Sequence, residues 1–80
     1  MKTKYITTIS ESESFTYKNF SIYIWDKFSC ITDKKIEVID PIYNQKHLLN
    51  IWNFSVENKN ISFAIGEFSN GIYGVFVVEY

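Results

Sequence analysis

Apolar and polar residues alternate with a period of two in several short runs, and polar turn residues separate those runs. Only an extended strand places every second side chain on the same face, so this pattern points to a sheet built from hairpins. In Phe20-Ser21-Ile22-Tyr23-Ile24-Trp25, Phe20, Ile22 and Ile24 share one face, and Ser21, Tyr23 and Trp25 share the other. Phe15-Thr16-Tyr17 alternates before it, and Lys18-Asn19 reads as a tight turn because Asn tolerates positive φ. Residues 14–25 are therefore expected to form a hairpin, with Tyr5 to Ile9 as an earlier strand.

Two more hairpins are expected. One joins Phe28–Ile31 to Ile36–Ile39 through Thr32-Asp33-Lys34-Lys35, where polar residues are flanked by β-branched ones. The other has the strongest turn signal. Ile61, Phe63 and Ile65 alternate with Ser62, Ala64 and Gly66; Ser69-Asn70-Gly71 follows, and Ile72 to Tyr80 returns rich in Val, Phe and Tyr. Between the hairpins the spacing predicts one helix over 41–51. Asp40 suits an N-cap and Pro41 the first helical position, while Ile42, Gln45, Leu48, Leu49 and Trp52 fall on one helical face. The segment Trp52-Asn53-Phe54-Ser55-Val56-Glu57 also alternates strictly, and it could instead be a strand paired with Ile61–Ile65 across Asn58-Lys59-Asn60. The expected architecture is α+β: a small antiparallel sheet of hairpins with one short helix packed on a face, in a single domain over 1–80. The alternative is an all-β small barrel.

Composition bears on function mainly by exclusion. The chain has no Arg, and its charges nearly cancel, with a formal net charge of −1. A DNA mimic would be strongly acidic and a nucleic-acid binder usually basic, so nucleic acid is disfavoured as a partner. Forty of the 80 residues are Ile, Lys, Asn, Phe or Tyr, residue types with A/T-rich codons, which points to an A/T-rich bacterium or its phage. That bias accounts for part of the aromatic content without invoking function. The lone Cys30 precludes an intrachain disulfide and suggests a reducing compartment. The N-terminus lacks the apolar core of a secretory signal, and the apolar stretch Ile72–Val78 is too short to span a bilayer. A cytoplasmic protein without membrane contact is expected.

No constellation of catalytic residues emerges. Cys30 and His47 are the sole copies of each type, and nothing in the sequence brings them together. A zinc site needs three or four ligands, and Asp26, Asp33 and Asp40 lack the density of a calcium loop. Gly66, Gly71 and Gly74 follow strand and turn spacing and do not make a phosphate loop. Neither a metal nor a cofactor is expected, and the chain reads as a non-enzyme.

What remains is aromatic surface. If Phe20, Ile22 and Ile24 face the core, Tyr23 and Trp25 face outwards. If Ile72, Phe76 and Val78 face inwards, Tyr73, Val75 and Val77 lie outside. On the expected helix Tyr43, His47, Ile51 and Phe54 form a stripe opposite Leu49 and Trp52. Exposed Tyr and Trp commonly anchor protein contacts. Tyr23, Trp25, Tyr73, Tyr43 and Phe54 are thus the candidate partner-binding residues. The expected function is a non-catalytic binding protein of the inhibitor, immunity or antitoxin type that occludes a protein partner. A homodimer or a larger assembly of identical subunits would use the same surfaces, and a single-stranded nucleic-acid binder would use them to stack bases.

Overall fold

In the computed structural model, which describes residues 2–10, 14–23 and 31–80, the chain is all β, with no helix among the described residues. The strands are β1 (Lys2–Ser10), β2 (Ser14–Tyr17), β3 (Phe20–Tyr23), β4 (Ile31–Ile39), β5 (Lys46–Val56), β6 (Lys59–Ser69) and β7 (Ile72–Glu79). Five of them form one antiparallel sheet in the order β1-β7-β6-β5-β4, and β2 and β3 form a separate hairpin. Among the described residues the large sheet does not close: β1 and β4 are its two edges, and no closed barrel forms.

Three turns follow directly from residue chemistry. Lys18 and Asn19 have φ of 47° and 71°, and Glu57 and Asn58 have 47° and 64°. Two successive positive φ values match the right-handed twist of the strands they join, as two-residue hairpin turns require. At the third, Gly71 takes φ 75°, and its N–H donates to Glu67 Oε2 at 3.0 Å. The hairpin expected over 14–25 is present across its described residues 14–23, the one expected from Ile61 to Tyr80 is formed by β6 and β7, and the alternating segment from Trp52 pairs with β6 in the register Trp52↔Phe63 and Phe54↔Ile61.

The expected helix over 41–51 is replaced by a hairpin loop and the first half of β5. The helical start signals are nevertheless used. Asp40 Oδ1 accepts hydrogen bonds from the backbone N–H groups of Ile42 (2.6 Å) and Tyr43 (3.1 Å), as an N-cap does. The path then stops after one turn. Asn44 adopts φ 56° and donates its N–H to the Asp40 carbonyl at 2.8 Å, while the Asp40 N–H donates to the Gln45 carbonyl at 2.8 Å. Extended backbone resumes at Lys46. A capped single turn suits a short hairpin loop as well as a helix start, and a left-handed Asn ends it.

The expected hairpin across residues 32–35 is also absent. Residues 31–39 form the single strand β4, which pairs with β5 through an irregularity between Ile31 and Lys35. Thr32 stabilises that bulge: its hydroxyl donates to the Ile51 carbonyl at 2.8 Å and accepts from the Lys34 N–H at 3.1 Å. Phe28–Cys30 lie outside the described residues.

The sheet is buried on both faces. On the first face, Ile9, Trp52, Phe54, Phe63, Ile65, Val75 and Val77 pack against Phe15 and Ile22 of the β2–β3 hairpin. Phe63 is at the centre, with the rings of Phe15, Tyr17 and Phe54 edge-on to it at 5.2–5.6 Å between centroids. The second face carries Val38, Leu49, Ile51, Ala64, Phe68, Phe76 and Val78. Gly66 and Gly74 are paired directly across β6 and β7, and their missing side chains leave a hollow. The Leu49 side chain fills it above Gly66, and the Phe68 ring lies over Gly74. The outward placement expected for Val75 and Val77 is therefore corrected: β7 is covered on both faces. The stripe expected to join His47, Ile51 and Phe54 is likewise split, because a strand sends Ile51 and Phe54 to opposite faces.

Candidate interaction surface

Two of the residues singled out from sequence are at the surface. Tyr23, at the end of β3, and Tyr43, in the β4–β5 loop, are each 48% exposed. Tyr73 on β7 is half-buried against the first cluster. Phe54 is buried beneath the hairpin and edge-on to Phe63, so it serves the core. Trp25 lies outside the described residues. Tyr23, Tyr43, Tyr73 and Phe54 sit on four separate elements.

A more continuous apolar surface lies elsewhere. The β2–β3 hairpin packs on the Trp52 side of the sheet, and that face extends past it onto β4 and the start of β5. There Ile31 is paired with Trp52, Leu48 with Glu37, and Ile39 with Lys46. Strand alternation places Ile31, Lys35, Glu37, Ile39, Lys46 and Leu48 on this one face. Leu48 is 65% exposed and Ile39 59%, with Ile31 close behind. Ile42 and Tyr43, both exposed, extend the apolar surface into the adjoining loop. Large apolar side chains grouped in this way usually mark a contact.

The same region has an open strand edge. Among the described residues no strand pairs with the outer side of β4. Which of its backbone groups point outwards follows from the loop bond. Asp40 donates to Gln45, so Asp40, and by alternation Val38 and Ile36, direct their N–H and C=O groups towards β5. Ile39, Glu37 and Lys35 therefore present theirs to the outside, as unpaired donors and acceptors ready to take another strand.

Next to this edge is the one buried charged side chain among the described residues. Asp40 is fully buried, and its Oδ2 faces His47 Nε2 at 3.4 Å. The pair is ionic whenever the imidazole carries its second proton. Burial pushes the Asp40 carboxyl up, but the Tyr43 and Ile42 amides and His47 outweigh it and hold it below the ordinary carboxylate range. The His47 ring stacks on Phe68 at 4.7 Å, so the pair locks the loop to the second cluster. Among the described residues no group of three or more His, Cys, Asp or Glu is placed to hold a metal.

A shallow groove of about 580 Å³ lies at the far end of the sheet, lined by Tyr17, Lys18, Asn53, Asn60, Ser62 and Tyr80 among others. Ser62 and Asn53 satisfy each other there at 2.7 Å, and Lys18 Nζ sits 5.4 Å from the Tyr17 ring centre. The groove contains neither Asp40 nor His47. Among the described residues no helix is long and apolar enough to cross a membrane.

Sequence reasoning missed Ile31, Ile39 and Leu48, and it missed the backbone groups of Lys35 and Glu37. The chain matches no family model, no curated protein and no solved structure in the comparisons made.

Proposed function

We propose that this is a non-catalytic binding module that engages another protein chain along β4 by strand addition. Backbone bonds from Lys35, Glu37 and Ile39 would supply affinity, and Ile39 and Leu48 would be the apolar anchors beside them. The observation that carries this reading is the coincidence of an unpaired strand edge with exposed Ile31, Ile39 and Leu48 on one adjoining face. Such a module acts by occupying a surface, which is how inhibitor, immunity and antitoxin proteins work. The near-zero net charge and the missing Arg favour a protein over a nucleic acid. The lone cysteine fits a reducing compartment such as the bacterial cytoplasm.

The test is capture on immobilised protein from a lysate of the source organism, with Ile39→Asp/Leu48→Asp in parallel. Both side chains are exposed, so folding should change little and circular dichroism should match wild type. A carboxylate at each anchor should weaken retention of a stoichiometric protein by roughly 100-fold or more. Undiminished retention by the folded double variant would place the contact elsewhere on the molecule.

A further inference from the structure

We infer that the chain β4 accepts is a second copy of this protein. The two copies would be related by a two-fold axis at Ile36, so that the five-stranded sheets join edge to edge. This rests on the reading of β4 as a protein-binding edge and adds its occupant and its register.

The register follows from which backbone groups are free and where the charges fall. Strand addition to β4 must use the outward groups of Lys35, Glu37 and Ile39. The ladder of β4 is regular only from Lys35 to Ile39, beyond its irregularity, so a symmetric antiparallel pair is centred within that stretch, and each choice sets which charges meet. Centring on Lys35 puts two lysines opposite each other, and centring on Glu37 does the same with two carboxylates. Centring on Val38 sets Glu37 against Ile39 and gives neither charge a partner across the axis, leaving Glu37 only the exposed Lys46 of its own chain at 4.0 Å. Centring on Ile36 places Lys35 opposite Glu37 of the partner subunit and Glu37 opposite Lys35 of the partner subunit. Both pairs lie in hydrogen-bonded positions on the same face. Opposite charges directly across a strand pair favour that register, and like charges disfavour it. An isologous contact needs a self-complementary patch, and a Lys and a Glu two residues apart provide one.

The other face agrees. Ile36 is half-buried against the second cluster, and at the axis it would meet Ile36 of the partner subunit in a non-hydrogen-bonded pair, where side chains approach most closely. The remaining edge lacks this complementarity. β1 carries Lys2 and Lys4 with no carboxylate in the strand, and it is bulged between Tyr5 and Thr7. Lysines and bulges are the usual means of keeping an edge unpaired. The two edges thus have different roles, one guarded and one self-complementary.

Light scattering and sedimentation over the micromolar to millimolar range test this on wild type and on Lys35→Glu and Glu37→Lys separately. Both side-chain positions concerned are on the surface, so the variants should fold. Wild type should show a monomer–dimer equilibrium. Each single variant turns both cross-strand pairs into like charges and should dissociate roughly 30-fold more readily. Mixing the two variants should restore a dimer containing one of each, because every pair is then opposite in sign; a general loss of stability would not produce that recovery. A wild-type monomer at all concentrations would overturn the self-pairing, as would a dimer indifferent to both substitutions. In either event capture by wild type against Ile39→Asp/Leu48→Asp still decides separately whether β4 binds a different protein.

Discussion

Phe63→Ala should leave the protein barely folded at room temperature. Phe63 is completely buried at the centre of the first face, with Phe15, Tyr17 and Phe54 edge-on around it and Trp52 and Val77 paired on either side. Truncating a buried Phe costs about 3–5 kcal/mol, through lost transfer energy and the cavity left behind. An 80-residue domain has a total stability of roughly 4–12 kcal/mol, so this one change removes a large share of it. The effect should extend beyond the sheet, because Phe63 is also what Phe15 and Tyr17 of the β2–β3 hairpin rest on. Urea unfolding followed by tryptophan fluorescence gives the number, and Phe63→Leu, which retains most of the volume, should cost much less. A loss below about 1 kcal/mol for Phe63→Ala would mean that the hairpin does not pack on this face as described.

Asp40→Ala should have the next largest effect, and its size should depend on pH. The side chain accepts the amides of Ile42 and Tyr43 and faces His47, so its removal strands two part-buried backbone donors and one buried imidazole nitrogen. A loss of melting temperature on the order of 10 °C is expected at neutral pH. The native Asp40 carboxyl titrates below its ordinary value of 3.8. A depressed native value means that the unfolded state takes up the proton first. The stabilisation is therefore complete above 3.8 and is lost as the pH falls below it and on through the native value. Melting curves of wild type and Asp40→Ala should draw together in that acidic range, whereas a constant gap there would show that the carboxylate charge contributes nothing.

The positions where sequence reading succeeded and failed have local causes. The β2–β3 and β6–β7 hairpins are legible because alternation and turn residues agree there: Lys18-Asn19 and Gly71 supply the backbone angles that the flanking strands require. The helix expected over 41–51 does not form because both of its signals are real but local. Asp40 and Pro41 do start a helical turn, which ends at the left-handed Asn44, and the spacing of Leu48, Leu49 and Trp52 fits either period. Propensity cannot decide such a case, whereas sheet pairing does: Leu49 and Ile51 complete one face while Trp52 and Phe54 complete the other. Thr32-Asp33-Lys34-Lys35 looked like a turn because it is polar, yet an edge strand tolerates polar residues and a bulge. The run Val75-Phe76-Val77-Val78 did carry a legible signal, since an unbroken apolar stretch marks a strand buried on both faces.

The candidate surface was less legible. Tyr23 and Tyr43 are exposed, but the helical stripe of Tyr43, His47, Ile51 and Phe54 also pointed to Phe54, which is buried. Ile39 and Leu48 resemble core residues in sequence. They are exposed only because β4 is the last strand and the hairpin stops short of it, and strand order is a property of the whole topology. The complementarity of Lys35 and Glu37 acquires meaning only once β4 is known to be an open edge.

Amide hydrogen exchange along β4 tests that edge most directly, measured residue by residue from dilute to concentrated protein. In dilute solution the N–H groups of Ile36, Val38 and Asp40, which point to β5 and its loop, should exchange slowly. Those of Lys35, Glu37 and Ile39 should exchange fast. As the concentration rises, Lys35 and Glu37 should become protected while the inner amides stay as they were. Fast exchange at Lys35 and Glu37 at every concentration, and unchanged when a captured protein is bound, would contradict a binding role for β4; slow exchange there in the dilute monomer would show that its edge is not open.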